Sequence, residues 1–124
     1  MALVMCFGLA AHALEVQVAI YTNDAAENSY QLYCSSYIHG SGANDISSSN
    51  SLYYQIYKEN GVFDIKSREK LMAPGFGVRT GTTTTFITIY NNITVPDGNG
   101  NYYIRLNVQG ANYTGCNGAG RLID

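Results

Sequence analysis

Thiols and imidazoles are the most reactive side chains in this sequence, which contains three cysteines and two histidines. A cysteine nucleophile needs a histidine base within hydrogen-bonding reach. His39 follows Cys34 by an odd number of residues, which in an extended strand puts the two side chains on opposite faces. Cys34, Cys116 and His39 also lack the close ligand spacing of a zinc site. We therefore expect neither thiol catalysis nor a bound zinc ion.

Carboxylates are scattered singly along the chain. General acid–base catalysis needs paired titratable groups in a cleft. The sequence also contains no Gly-x-Ser-x-Gly, His-Glu-x-x-His or phosphate-binding loop. The scattered acids include Asp24, Glu27, Asp45, Glu59, Asp64, Glu69 and Asp97. The sequence therefore predicts a protein that is not an enzyme and needs no cofactor.

One segment has calcium-like spacing. Asp97-Gly98-Asn99-Gly100-Asn101 places side-chain oxygens at i, i+2 and i+4, as calcium loops do. No bidentate glutamate follows it, and the same residues suit a tight turn. We favour the turn and predict no metal site.

The charge of the chain argues against nucleic acid as a partner. The formal net charge is −2, whereas nucleic-acid-binding domains carry a basic patch or stripe. The basic run at residues 66–70 is interrupted by Glu69. We interpret it as a solvated loop or strand end.

Tyrosine is unusually abundant, with eleven tyrosines and no tryptophan. In the predicted strands, alternation places five of them on faces opposite the aliphatic side chains. Exposed aromatic clusters mark binding surfaces for glycans or proteins, although tyrosine also suits strand surfaces in general. Both interpretations stay open at this point. The five candidate ligand-binding residues are Tyr33, Tyr37, Tyr53, Tyr57 and Tyr103.

Residues 1–13 form an apolar run that ends in Ala11-His12-Ala13, the small-residue pattern of a signal-peptide cleavage site. The run is shorter than the roughly twenty residues needed to cross a bilayer. It carries no Lys or Arg, so a buried N-terminal strand or a membrane anchor is the alternative. We expect export, with residues 14–124 forming one domain of a secreted or cell-surface protein.

Export to an oxidising compartment would allow the cysteines to form a disulfide. Cys6 would leave with the leader, and Cys34 and Cys116 would remain as an even pair in an oxidising compartment. A disulfide between them would close a long loop, for which chain entropy gives about 4.5 kcal/mol of stability. In a eukaryote, Asn92 and Asn112 would also be N-glycosylation acceptors, because each begins an Asn-x-Thr sequon.

Period-two alternation predicts strands through most of the chain. The predicted strands lie at residues 15–20, 29–40, 52–59, 62–68, 82–90 and 102–109, with 121–124 as a candidate edge strand. Asn60-Gly61 predicts a type I′ hairpin between 52–59 and 62–68. Loops are predicted at 40–50, 72–81, 96–100 and 110–120. Since no segment shows a helical apolar stripe, the sequence predicts an all-β, antiparallel β-sandwich.

Two segments carry a resemblance to a known family. Residues 86–97, Phe-Ile-Thr-Ile-Tyr-Asn-Asn-Ile-Thr-Val-Pro-Asp, are followed by Asn-Tyr-Tyr-Ile-Arg-Leu at 101–106. They resemble the E–F segment of immunoglobulin-like sandwiches, in which an apolar strand leads through a turn to a tyrosine-bearing strand. They are also similar to the immunoglobulin-like domain of fungal Ser/Thr-rich cell-wall proteins. The resemblance implies an immunoglobulin-like sandwich of about seven strands and a cell-surface role, and it assigns no functional residue.

We therefore expect a binding or structural module that contacts a protein or glycan surface through its tyrosines and through the loops at 40–50 and 72–81. The alternatives are a small secreted effector or toxin-like protein, and a surface-filament subunit whose edge strand a neighbour completes. We expect no membrane span, and the oligomeric state stays open.

Overall fold

All regular secondary structure in the computed structural model, which describes residues 14–110 and 113–124, is β-strand. The predicted signal peptide, residues 1–13, lies outside the described residues. The strands are β1 (Glu15–Ile20), β2 (Ala26–Asn28), β3 (Leu32–Cys34), β4 (Tyr37–Asn44), β5 (Leu52–Lys58), β6 (Ile65–Met72), β7 (Val78–Thr80), β8 (Thr83–Thr85), β9 (Ile87–Thr94), β10 (Gly100–Val108) and β11 (Gly118–Ile123). The predicted all-β class is confirmed.

Two antiparallel sheets contain most of these strands. The first sheet has the order β1-β11-β4-β9, and the second has the order β2-β10-β5-β6, with β3 also paired to β10. β2 and β3 lie end to end along β10, with Asn28 opposite Arg105 and Cys34 opposite Gly100. They therefore act as one interrupted strand, so each sheet has four principal strands. β7 and β8 form a separate hairpin.

The connections between the principal strands distinguish this sandwich from an immunoglobulin-like one. Only the β5–β6 connection stays within one sheet, and every other connection crosses to the opposite sheet. Immunoglobulin-like sandwiches keep several consecutive strands together, with ABED facing CFG. The crossing pattern here is that of a jelly roll. The predicted antiparallel sandwich is confirmed, but the immunoglobulin-like arrangement is not.

The inner faces of the two sheets meet in one apolar core. Leu52, Tyr54 and Ile56 of β5 point into it and are fully buried, as are Ile104 and Leu106 of β10. Alternation predicts this inward set, because successive side chains of a strand point to opposite faces. The outward residues of the same strands are therefore free to form a surface.

Tyr54 occupies a niche that glycines leave in the first sheet. A Cβ at Gly40 would lie 2.7 Å from Tyr54 Oη, and a Cβ at Gly120 would lie 3.2 Å from the Tyr54 ring. The Tyr54 hydroxyl donates to the Arg121 carbonyl at 2.8 Å. Burial raises the pKa of this phenol, so the hydroxyl stays protonated as a donor. Tyr54 thus ties the second sheet to β11 of the first.

Cys34 and Cys116 are buried free thiols, which corrects the predicted disulfide. Cys34 lies opposite Gly100, at the start of β10. The Cys116 thiol donates at 3.1 Å to the carbonyl of Asn50, which lies just before β5. The first residue of β5, Leu52, is opposite Val108 at the end of β10. A strand of this length spans roughly 25 Å, whereas a disulfide requires Cα atoms less than about 7 Å apart.

Several predicted boundaries are wrong because tertiary pairing overrides local composition. The glycine-rich start of the predicted 40–50 loop belongs to β4, where Gly40 and Gly42 make room for Tyr54. The predicted strand at 29–40 is divided into β3 and β4, which lie in different sheets. The predicted edge strand at the end of the chain is β11, which lies between β1 and β4.

The β5–β6 hairpin forms as predicted, but its turn is longer. Lys58 lies opposite Ile65, so residues 59–64 form the turn. Gly61 has a φ of 68°, and Asn60 is not among the residues with positive φ. A type I′ turn requires positive φ at both positions, so the predicted turn type is wrong.

Candidate functional site

Four of the five candidate tyrosines share one surface. Tyr33, Tyr53, Tyr57 and Tyr103 alternate with buried residues of β3, β5 and β10, so they lie on the outer face of the second sheet. We name this surface the tyrosine face. Tyr37 begins β4 in the first sheet, because the chain crosses between the sheets after β3. The structure therefore separates Tyr37 from the other four.

Tyr57 and Tyr103 form a stacked pair at the centre of the tyrosine face. They are directly opposite in the β5–β10 register, with ring centroids 5.6 Å apart and ring planes at 11°. The Tyr103 hydroxyl donates to Asp64 Oδ2 at 2.6 Å. Burial, followed by the hydrogen bond to Asp64, raises the pKa of Tyr103 to about 12. The pair is therefore a half-buried aromatic platform that is anchored to the turn at residues 59–64.

A concave polar pocket adjoins this platform. Its volume is about 250 Å³, and its lining residues are Asn28, Ser29, Gln31, Asp64 and Tyr103. We name it the polar pocket. The end of β2 provides Asn28, the segment between β2 and β3 provides Ser29 and Gln31, and the 59–64 turn provides Asp64. The pocket exists because these two segments flank Tyr103 on β10.

Hydrogen bonds orient the polar pocket without using all of its polar groups. Asn28 Oδ1 accepts from Arg105 at 3.0 Å, and the Ser29 hydroxyl accepts from the Ile104 amide at 2.9 Å. Asp64 also accepts from the Asn60 amide at 3.2 Å. An ionised carboxylate has about four acceptor sites, and the Asn28 and Gln31 side chains are exposed. The pocket thus offers donors and acceptors to a bound molecule.

The β6 side of the tyrosine face is occupied by internal pairing. Glu69 Oε2 accepts from Lys66 and from Gln55, both at 2.8 Å. The hydrogen bonds from Lys66 and Gln55 hold the pKa of Glu69 below its ordinary value. These groups pair with one another, although Gln55 Oε1 is buried and has no partner among the described residues. The polar pocket is the concave part of this face that offers side-chain donors and acceptors to a ligand.

The segment with calcium-like spacing is a turn. The Tyr102 hydroxyl accepts from the Asp97 amide at 3.0 Å and donates to the Gly98 carbonyl at 2.7 Å. The Asp97 carboxylate accepts from the Ser67 hydroxyl. Within residues 14–110 and 113–124, no group of three or more His, Cys, Asp or Glu side chains is arranged to hold a metal ion.

The thiols and His39 do not form a common site. His39 lies on β4, with Nε2 3.5 Å from Thr88 Oγ1, whereas the Cys34 thiol donates to the Leu32 carbonyl on β3. Burial, with a smaller effect of the Asp124 carboxylate, raises the pKa of Cys34 to about 12. Burial also raises the pKa of Cys116. Because the thiolate is the nucleophile, burial and the raised pKa both disfavour a nucleophilic role for these thiols.

Other predicted contact and modification sites have mixed outcomes. Asn92 is exposed on β9 with a φ of 51°, while Asn112 lies outside the described residues. Of the predicted contact loop at 40–50, residues 40–45 are buried. Among the described residues, no helix is long and apolar enough to cross a bilayer.

Most of the polar pocket is not predicted from the sequence. Ser29 and Gln31 fall at the start of the predicted strand at 29–40, Asn28 lies just before it, and Asp64 is one of several scattered acids. Of the residues that line the polar pocket, only Tyr103 is predicted, because alternation in the strand at 102–109 turns its side chain outward. The other residues become neighbours through the pairing of β2 and β3 with β10, which local composition does not encode.

Comparison with known proteins adds no assignment. No family model, curated protein or solved structure matches the chain. The geometry of the site is therefore the basis for assigning its function.

Proposed function

We propose that this protein is a glycan-binding module, secreted or displayed at a cell surface, which holds a sugar in the polar pocket against Tyr103. The observation that carries the proposal is the composition of the pocket, where two amides, a hydroxyl and a carboxylate border an aromatic ring. Sugar hydroxyls both donate and accept hydrogen bonds, so they need both kinds of partner. The apolar face of a sugar ring can pack on the aromatic surface.

A glycan suits the tyrosine face better than a protein partner does. Protein interfaces depend on aromatic or Arg anchors buried in well-desolvated pockets at the centre of the contact. Here the concave region is polar, and Tyr57 and Tyr103 already stack on each other. Lectin domains are among the proteins built on jelly rolls, although a shared fold by itself assigns no function.

Glycan-array binding followed by calorimetry tests the proposal. We expect Asp64→Ala to weaken binding at least about tenfold, because a hydrogen bond to a charged group contributes about 1.5–3 kcal/mol. Tyr103→Ala should also weaken binding, through loss of the ring. Tyr37→Ala is the control, since Tyr37 is an exposed tyrosine that lies on the first sheet, away from the polar pocket. Circular dichroism checks that each variant keeps its fold.

Two outcomes would contradict this function. One is the absence of binding across a broad array of neutral and acidic glycans. The other is binding that Asp64→Ala and Tyr103→Ala leave unchanged in folded protein. Export is tested separately by sequencing the N-terminus of the protein recovered from the medium, which should begin near Leu14.

A further inference from the structure

A second concave site lies on the opposite side of the molecule. The β7–β8 hairpin covers part of the outer face of the first sheet, where a Cβ at Gly77 would lie 2.9 Å from Ala43 Cβ. A cavity of about 340 Å³ separates this hairpin from β1 and β11. Its lining includes Gln17, Ala19, Arg79, Thr84, Phe86 and Ala119. We name it the arginine cleft.

Neutral groups hold two guanidinium groups at this cleft. Arg79 donates to the Asn117 side-chain oxygen and lies 4.4 Å from the centre of the Tyr21 ring. Arg121 lies opposite Gln17 in the β1–β11 register, and its guanidinium is 4.6 Å from the centre of the Phe86 ring. Both Gln17 and Phe86 line the cleft, so Arg121 is directly beside it.

The charges of these two arginines are not balanced locally. In the part of the chain that the structure describes, the only ion pair joins Lys66 and Glu69 on the other sheet. Glu15 is on the same face as the cleft, but it accepts from Gln17 at 2.9 Å. Asp45 accepts from the backbone amide of Arg79 rather than from its guanidinium. The nearby carboxylates therefore leave both cations without an ionic partner.

Two buried polar atoms on β11 and β4 also lack partners among the described residues. They are Arg121 Nε and Ser41 Oγ. Ser41 is 1% exposed and lies opposite Arg121 in the β4–β11 register. Buried polar groups are normally hydrogen-bonded. The Arg121 guanidinium therefore keeps a donor that no described residue satisfies.

We propose that the arginine cleft binds a small carboxylate. The planar guanidinium donates two parallel hydrogen bonds to a carboxylate, and the Phe86 ring with Ala19 and Ala119 provides apolar surface for the carbon body. The carboxylate can come from an acidic sugar or from the C-terminus of a peptide. This site is independent of the polar pocket, because it lies on the other sheet.

NMR titration of the full domain with matched ligand pairs tests the proposal. Sodium glucuronate is compared with glucose, and an N-acetylated dipeptide acid is compared with its amide. We expect backbone amide shifts at Ala119, Arg121 and Thr84 with at least one of the two acids and with neither neutral partner. The acid that binds identifies the source of the carboxylate.

Variants that remove one positive charge test whether the carboxylate binds at the arginine cleft. Arg79→Gln and Arg121→Gln should each weaken carboxylate binding at least about tenfold, the loss of one charge-assisted hydrogen bond. Arg68→Gln is the matched control, because Arg68 is exposed on β6 and donates to the adjacent Ser67 carbonyl. If Arg121→Gln does not fold, the affinity of Arg79→Gln for the carboxylate tests the proposal by itself. Failure of both acids to bind, or binding unchanged in Arg79→Gln, would overturn the proposal, whatever the glycan array shows.

Discussion

The two outer faces of this sandwich are built in different ways. The tyrosine face consists of alternate residues on adjacent strands, with Tyr57 directly opposite Tyr103. The arginine cleft forms where the β7–β8 hairpin lies beside β1 and β11, so its residues come from distant parts of the chain. Alternation places the tyrosines on one side of their strands and strand pairing brings them together, whereas the second surface also needs the hairpin to fold back over a sheet.

The two faces also differ in the contacts that their charged side chains make. On the tyrosine face, Glu69 is paired with Lys66, and Arg105 donates to Asn28. Beside the cleft, Arg79 and Arg121 contact rings, amides and carbonyls. Asp64 gives the tyrosine face an acceptor for sugar hydroxyls, while the two arginines without an ionic partner favour an anion at the cleft. We therefore expect a different ligand class at each face.

Removing the support that both faces share should have the largest effect. Tyr54→Ala should lower the free energy of unfolding by about 3–5 kcal/mol, as for other large buried aromatic truncations. Tyr54→Phe keeps the ring and loses one hydrogen bond, so about 1 kcal/mol is expected. Urea denaturation measures both values. Equal losses for the two variants would show that the glycine niche contributes little.

Alkaline pH should lower the free energy of unfolding through Cys34, which lies in the second sheet. The ordinary pKa of 9.0 for Cys34 is raised to about 12 by folding, so between these values the unfolded state releases a proton that the folded state keeps. Stability is therefore complete below pH 9 and falls as the pH rises towards 12, approaching about 1.4 kcal/mol per pH unit for one group.

Denaturation between pH 7 and 9 emphasises the thiols, because unfolded tyrosines have an ordinary pKa of 10.0 and stay largely protonated there. At higher pH, Tyr54, Tyr90, Tyr102 and Tyr103 would add to the decline, since burial raises the pKa of each of them as well. Cys34→Ala should flatten the decline relative to the wild-type protein, leaving the part due to Cys116. An unchanged slope in Cys34→Ala would mean that this thiol is accessible to water in the folded state.

Two double-mutant cycles compare the aromatic contacts of the two faces. Arg121–Phe86 is a partly buried cation–π pair, for which coupling of about 1–2 kcal/mol is expected. Tyr57–Tyr103 is a half-exposed aromatic pair, for which about 0.5–1 kcal/mol is expected. Unfolding of the single and double alanine variants gives both couplings. A larger coupling for the tyrosine pair would reverse the order assigned to the two surfaces.

Acid should act on the first sheet and should have the smallest global effect. Hydrogen bonds from the Ser47 side chain, and then from the Arg79 amide, hold the pKa of Asp45 below its ordinary 3.8. This stabilisation is present above pH 3.8 and is lost as the pH falls through the lower folded value.

A lower protection factor at the Arg79 amide on acidification, calculated against the intrinsic exchange rate at each pH, with little change at Tyr103, would show this local release of the β7–β8 hairpin. Asp45→Ala is the control, since its Arg79 amide should have a low protection factor at every pH. A simultaneous change at Tyr103 would mean that acid unfolds both faces together.

Parts of the fold could be predicted because they depend on neighbouring residues. The alternation in β5 and β10 predicts their buried and outward sets, and Asn60-Gly61 marks the β5–β6 hairpin. The second half of β4 is not predicted, because its glycines resemble a loop until Tyr54 packs against them. The predicted Cys34–Cys116 disulfide is wrong, because an even cysteine count and an oxidising compartment carry no information about which end of a strand each thiol adjoins.

The candidate site shows the same limit. The alternation of inward and outward residues predicts that Tyr57 and Tyr103 face outward. It does not predict that the chain crosses to the other sheet after β3, which separates Tyr37 from them. Asn28 and Asp64 join the polar pocket only when β2 and the 59–64 turn approach Tyr103. Arg79, Phe86 and Arg121 had no sequence signal, because each is an ordinary residue until the hairpin covers the first sheet.

By itself, the sequence determined an all-β chain with two-sided strands and a surface rich in tyrosine. These properties follow from the two-residue period of the strand, which acts between immediate neighbours. The tertiary structure alone decided the strand order, the separation of the thiols and the composition of both concave sites. Those features depend on contacts between residues far apart in the chain, and such contacts are selected by how the whole core packs.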